Sequence, residues 1–240
     1  MINWNKYFDK IYVLSYVKNF DRRKIIESEF KRIGITDYEF YLNIDDNFLI
    51  ESNIYSKSQT NAAHGHYSII KKSYELGYNR IAIVEDDVIF LKDLNEISKC
   101  LENYYKEESD IYLFTGAIEN YFDDDSKFYV CSQLYSINRY GMEYLIYMHE
   151  TYHYNADQYF FNENTLHKYP SLGILFGDSQ ILISMNIPDK FLDIKCKKYT
   201  DVNPICIEYS QSEPVNIFYS YKNIINEEQL ELYNIKEYYE

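Results

Sequence analysis

No stretch of this chain reaches the roughly 18 consecutive apolar residues that a membrane-crossing helix requires. The first residues, Met1 to Asp9, are polar and lack the apolar core of a signal peptide. Glycine and proline are scarce, 7 and 4 in 240 residues, which excludes collagen-like and Pro/Gly-rich disordered classes. Cysteine is scarce too. Cys100, Cys131, Cys196 and Cys206 stand far apart with no C-x-x-C, the pattern of isolated reduced thiols in a cytoplasmic protein. Positive charge is in deficit: 24 Lys and Arg face 38 Asp and Glu, a formal charge of −14. That argues against duplex nucleic acid or an anionic membrane surface as the main partner, because both select a basic face. Aromatic residues are abundant, with 29 Tyr and 14 Phe, so this is not the aromatic-poor acidic chain that stays disordered. The length suits one large domain, or a domain with an appendage, with a real core. The carboxylate excess fits binding of a divalent metal.

Short apolar runs alternate with helical patterns over the first 115 residues. Lys10–Ser15, Tyr38–Leu42, Arg80–Val84 and Asp110–Thr115 read as strands. Arg22–Ile33, Ala62–Leu76 and Asp93–Tyr105 read as helices, the first two stopped by Gly34 and Gly77. This alternation predicts an α/β domain with a mostly parallel sheet, its ligand beyond the carboxyl ends of the strands. Farther on, Phe128–Cys131, Leu134–Ile137 and Pro204–Tyr209 read as strands, and Tyr140–Met148 and Asn226–Tyr239 as helices.

Glu85-Asp86-Asp87 closes the apolar strand Arg80–Val84 and precedes Val88-Ile89-Phe90. Three adjacent carboxylates repel one another, which costs stability unless something positive neutralises them. In an extended segment Glu85 and Asp87 would face the same way. Two oxygen ligands on one side suit a hard divalent cation that keeps water and phosphate as its other ligands. A solvated strand-to-loop turn would carry the same letters.

The segment resembles the D-x-D type motif of GT-A glycosyltransferases. The wider pattern is similar to glycosyltransferase family 25, the lipooligosaccharide and collagen galactosyltransferase group. The resemblance rests on Val13-Leu14-Ser15, the polar loop Tyr16 to Asp21 and the pair Arg22-Arg23. It continues through His66, 19 positions before Glu85, the run RIAIVEDDVIF, and Tyr135 to Gly141 leading into a helix through Leu145. It covers residues 8–145. Asn61, Ala62 and Gly65 depart from it, standing where the family has Gly, Cys and Ser.

The resemblance implies a GT-A-like, Rossmann-like sheet in residues 1–145, and an acceptor-side region with a C-terminal helix in 146–240. It implies an inverting hexosyltransferase that takes a UDP-sugar donor, galactose favoured, and a glycan or glycolipid acceptor, with Mn²⁺ or Mg²⁺. Asp87 and Glu85 are then the expected metal ligands, with Asp86 beside them. Ser15, Arg22, Asp45, His66, Glu85 and Asp86 are the expected donor-binding residues. Arg22 suits a phosphate through paired hydrogen bonds. Asp45, with its neighbour Asp46, would accept from ribose or base, although an Asx turn is an equal reading. Inversion needs a carboxylate to activate the acceptor hydroxyl. Asp178, ahead of Ile181-Leu182-Ile183, is the first candidate, and a helix N-cap its plain alternative; Asp157 is the second. A lipopolysaccharide-type pathway, with a cytoplasmic enzyme at the inner face of a membrane, stands by analogy only.

A rival motif is His149-Glu150-Thr151-Tyr152-His153, which matches the H-E-x-x-H of zinc hydrolases, with Glu163 or His167 available as a third ligand. The aromatics Tyr152, Tyr154, Tyr159, Phe160, Phe161 and Tyr169 would suit sugar stacking or ordinary packing. A non-catalytic sugar- or nucleotide-binding module on the same fold is the third possibility.

Overall fold

The computed structural model describes residues 2–43, 57–90, 93–106, 108–114, 117–119, 128–130, 133–152, 189–191, 196–198 and 206–208. The first strand is β1 (Lys10–Tyr16). It is followed by α1 (Phe20–Ile33), β2 (Glu39–Asn43), α2 (Lys57–Glu75), β3 (Arg80–Glu85), β4 (Val88–Phe90) and α3 (Leu94–Lys106). Then come β5 (Ile111–Leu113), β6 (Ala117–Glu119), β7 (Phe128–Val130), β8 (Leu134–Asn138) and α4 (Arg139–Tyr152), with β9 (Cys196–Lys198) and β10 (Cys206–Glu208) far along the chain.

The main sheet has the order β2-β1-β3-β8-β5-β9. β1 pairs in parallel with β2 and β3, and β5 with β9, while β8 runs antiparallel to both β3 and β5. Five of the six strands therefore share one direction. The α/β fold with a mostly parallel sheet, expected from the alternation, is present. β4 pairs with β10, and β6 with β7, as two small antiparallel ribbons.

The continuous apolar runs follow from burial on both faces. On β1 and β3, Ile11, Val13, Ala82 and Val84 face one core with Ile26 and Phe30 of α1 and Ile97, Leu101 and Tyr104 of α3. Tyr12, Leu14, Ile81 and Ile83 face the other core, with Ile69 and Ile70 of α2 and Met142, Leu145 and Met148 of α4. Gly34 ends α1 with a left-handed C-cap at φ 79°, the stop signal expected of it. Asp93 caps α3, its Oδ1 accepting from the amides of Asn95 and Glu96 at 2.8 and 2.9 Å.

Gly65 has a packing reason. A Cβ there would lie 2.6 Å from Leu14 Cδ1 and 2.9 Å from Asn43 Nδ2, so a side chain at this position would have to displace the ends of Leu14 and Asn43 on β1 and β2.

Residues 145 and 146, where the acceptor-side region of the same domain was expected to begin, lie within α4, which runs to Tyr152. Chain beyond it returns to the same body. Phe191 is buried against the rings of Tyr140, Tyr144 and Tyr147, and β9 extends the main sheet. The late strand expected near 204–209 is present as β10. The C-terminal helix expected over Asn226–Tyr239 lies outside the described residues. Among the described residues, no helix is long and apolar enough to cross a membrane.

Candidate active site at the strand ends

β1 and β3 lie side by side in parallel, with Leu14 opposite Glu85, so both chains leave the sheet at one edge. The segment after Glu85 does not stay extended. Residues 86 and 87 form a turn into β4. The alternation expected for Glu85 and Asp87 is thereby broken, and the carboxylates that share the Arg22 guanidinium are the adjacent Asp86 and Asp87.

Both are buried, at 5% and 8% exposure. Arg22 Nη1 lies 2.8 Å from Asp87 Oδ2 and 3.4 Å from Asp86 Oδ1. Ser15 donates from Oγ to Asp86 Oδ2 at 2.5 Å, and Asn19 donates from Nδ2 to the same oxygen at 3.1 Å. Asn19 occupies the N-cap position of α1 but makes no capping hydrogen bond with its side chain. The second arginine of the pair has another task. Arg23 braces the loop itself, donating to Ser15 Oγ and to the carbonyls of Tyr16 and Val17 at 3.1, 2.5 and 2.9 Å.

Glu85 faces a different partner. Its Oε1 lies 3.1 Å from His66 Nε2, and His66 Nδ1 lies 3.0 Å from the Tyr135 hydroxyl. His66 and Tyr135 are buried, while the Glu85 side chain keeps a quarter of its surface exposed. Ser15, Arg22, His66, Glu85, Asp86 and Asp87 are thus brought together at one edge. Asn19, Arg23 and Tyr135 join them. Arg23 and Tyr135 lie in segments that carry the family resemblance, with no site role expected of either, and Asn19 carried no signal.

A buried carboxylate holds the turn from behind. Glu29 of α1 is fully buried, and its Oε2 accepts from the Phe90 amide at 2.9 Å. Arg32 binds both Glu29 oxygens at 2.9 and 2.8 Å and donates to the Phe90 carbonyl at 2.7 Å. α1 thereby grips β4 by its backbone on the far side of the acidic turn.

His149 to Tyr152, the described part of the H-E-x-x-H segment, close α4. Glu150 pairs with Lys71 at 2.9 Å and accepts from the Tyr67 hydroxyl at 2.7 Å; these two bonds, Lys71 foremost, hold its carboxyl below the usual range. The His149 ring stacks on Tyr67 with centroids 4.2 Å apart. Glu150 therefore serves a contact between α2 and α4. Among the described residues, no three His, Cys, Asp or Glu side chains are gathered as a ready metal cage. Asp45, Asp46, His153, Asp157, Glu163, His167 and Asp178, and the aromatics Tyr154 to Tyr169, lie outside the described residues.

No family profile and no curated protein matches the sequence. Solved structures do resemble it in part. One is a putative glucose-1-phosphate thymidylyltransferase from Bacillus anthracis in complex with sucrose: TM-score 0.40, 11% identity, covering 76% of this chain and 98% of that one. A second is a glycosyltransferase involved in glycosylation of the major capsid of PBCV-1: TM-score 0.38, 10% identity, covering 67% and 75%. A third is the galactosyltransferase LgtC in complex with donor and acceptor sugar analogues: TM-score 0.34, 11% identity, covering 93% and 99%.

Proposed function

We propose that the chain is a glycosyltransferase, similar to family 25 and GT-A-like in fold, that moves a hexose from a UDP-sugar to a glycan or glycolipid acceptor. Galactose is the favoured sugar and inversion the favoured outcome. The supporting observation is the meeting of Ser15, Arg22, Glu85, Asp86 and Asp87 where β1 and β3 leave the sheet. In open α/β sheets, nucleotides bind beyond the carboxyl ends of the strands.

The donor set fits a hard divalent cation. Asp86 and Asp87 offer hard carboxylate oxygens that share the Arg22 guanidinium, and Glu85, on His66, precedes them in the chain. Asp87, with Glu85 or Asp86, would hold Mn²⁺ or Mg²⁺, and the diphosphate and water would complete the shell. When bound, such an ion neutralises charge on a departing diphosphate. Arg22 would turn from the carboxylates to the phosphate oxygens, which a guanidinium fork can bind in pairs. Asp45 would accept from the ribose or base. Asp178, or failing that Asp157, would take the proton of the acceptor hydroxyl as it attacks the anomeric carbon.

Thermal unfolding tests this. The chain alone is compared with UDP, with Mn²⁺, with both, and with Zn²⁺. A ligand at about 100 times its dissociation constant stabilises the fold by about 2.7 kcal/mol, a readable melting shift. The expected shift needs UDP and Mn²⁺ together and vanishes in Asp87→Ala. A chain indifferent to UDP, with a Zn²⁺ shift lost in His149→Ala, would replace this reading by a zinc hydrolase. Among UDP-sugars, Asp178→Asn is expected to bind donor and transfer nothing; normal transfer would remove Asp178 as the base.

A further inference from the structure

We propose that His64 of α2 and His149 of α4 form a second metal site, a two-imidazole clasp for a transition-metal ion such as Zn²⁺. The site is separate from the strand-end carboxylates and does not rest on the donor reading.

One row of α2 sets it up. His64, Tyr67 and Lys71 recur at spacings of three and four, so they share a face of the helix. That face meets the last turn of α4. Lys71 pairs with Glu150 at 2.9 Å. The Tyr67 hydroxyl accepts from Lys71 at 2.8 Å and donates to Glu150 at 2.7 Å. The Tyr67 ring in turn carries the His149 imidazole, 4.2 Å away and 20° from parallel. His64 completes the group one turn earlier, its ring centre 6.0 Å from that of Tyr67 and 6.2 Å from that of His149.

The spacing suits two ligands of one ion. With metal–nitrogen bonds of about 2.0–2.1 Å, two imidazoles on one ion place their ring centres roughly 5–6.5 Å apart. Stacking on Tyr67 engages the face of the His149 ring, whereas a metal bonds a nitrogen in the ring plane. The stack therefore orients the ligand without competing for it. His64 is exposed and His149 half-buried, so an ion reaches the pair from solvent. Imidazole nitrogens favour Zn²⁺, Cu²⁺ or Ni²⁺, whereas carboxylate oxygens such as those of Asp86 and Asp87 favour Mg²⁺ or Mn²⁺. Among the described residues no third His, Cys, Asp or Glu completes a cage with the pair, so water would fill the other positions. The clasp also reassigns the letters of H-E-x-x-H. His149 gains its partner across the helix pair, and Glu150, which a zinc hydrolase would use as base, is engaged by Lys71 and Tyr67.

The test is a Zn²⁺ titration of the full chain in excess Mg²⁺ and without UDP, read by calorimetry and by the melting midpoint. The unaltered chain is expected to bind Zn²⁺ and melt higher. His64→Ala and His149→Ala should each weaken Zn²⁺ about a hundredfold, because the second imidazole closes on an ion already held by the first. His153→Ala and Asp87→Ala should leave the affinity unchanged. A chain that does not respond to Zn²⁺ overturns the proposal, and so does a response that His64→Ala leaves intact. Loss in His153→Ala would give the ion to the H-E-x-x-H segment, and loss in Asp87→Ala would give it to the strand end; either result overturns the clasp. Loss in His149→Ala is common to clasp and hydrolase, and the His64 and His153 variants separate them. His64 is exposed, so His64→Ala decides even if His149→Ala does not fold.

Discussion

α1 carries two arginines that each meet buried carboxylates beside the β3–β4 turn, and the two arrangements differ in stoichiometry. Arg32 meets one carboxylate, Glu29, whose oxygens are used on the guanidinium and on the Phe90 amide. Arg22 meets two, Asp86 and Asp87, with Glu85 next in sequence. A matched pair with its hydrogen bonds made is a structural clamp. Two acids on one guanidinium leave more negative charge to be offset where burial makes charge costly. The acids in front of the turn are thus arranged differently from the one that holds it from behind.

The largest way to break this contrast lies on the clamp side. Glu29→Ala leaves the Phe90 amide buried without its acceptor and Arg32 without its carboxylate. Because Arg32 is partly exposed, the expected loss is at the lower end for a broken buried pair, about 3 kcal/mol in a urea titration. A loss below about 1 kcal/mol would mean that Glu29 is not a clamp.

Ser15→Ala comes next. Ser15 is buried, donates to Asp86 and accepts from Arg23, so its removal should cost about 1–2 kcal/mol and weaken UDP-dependent stabilisation.

Asp87→Asn should behave in the opposite sense to Glu29→Ala. It loses a charged bond to Arg22 but relieves the repulsion from Asp86, and the melting midpoint should correspond to a change within about 1 kcal/mol. A fall as large as that of Glu29→Ala would abolish the distinction between the two arrangements.

The smallest effect marks the exposed limit. The Glu150 carboxyl lies below its ordinary value of 4.5 because of Lys71 and then Tyr67. A depressed carboxyl contributes stability above its unfolded value, and that contribution disappears as pH falls through the folded one. The pair is nearly half exposed, so Lys71→Ala should lower the melting midpoint only slightly at neutral pH and not at all in acid.

Much of this body was legible in the letters. The strands β1, β3 and β5 and the helices α1 and α3 announce themselves by apolar runs, helical spacing and Gly34. α2 begins five residues before the expected Ala62, because Lys57 to Asn61 carry no apolar spacing to extend the pattern. The antiparallel direction of β8 was not legible, since a four-residue apolar run reads the same either way. At the site, Glu85 to Asp87 were marked by their charge, and Arg22 by its place after β1. The turn at 86–87 was not legible. It depends on α1 gripping β4 through contacts 58 and 61 residues apart in sequence, made to backbone atoms that no side-chain pattern reveals. The contact of Tyr135 with His66 was not legible either, because it depends on how α2 packs against β8.

The reversed direction of β8 has a consequence for how this fold can diversify. α4 starts at the amino edge of the sheet, where the Asn138 and Arg139 amides bond the carbonyls of Asp110 and Asn79. It therefore runs back toward the opposite edge, and His149 finishes beside His64 at the level of His66 on α2. Had β8 been parallel to its neighbours, its helix would have ended at the far side. As built, the polypeptide is handed over at Tyr152 on the same rim as Ser15 and Glu85. Variation in the chain directly after Tyr152 would therefore begin at that rim, without re-registering β1, β3 or β8.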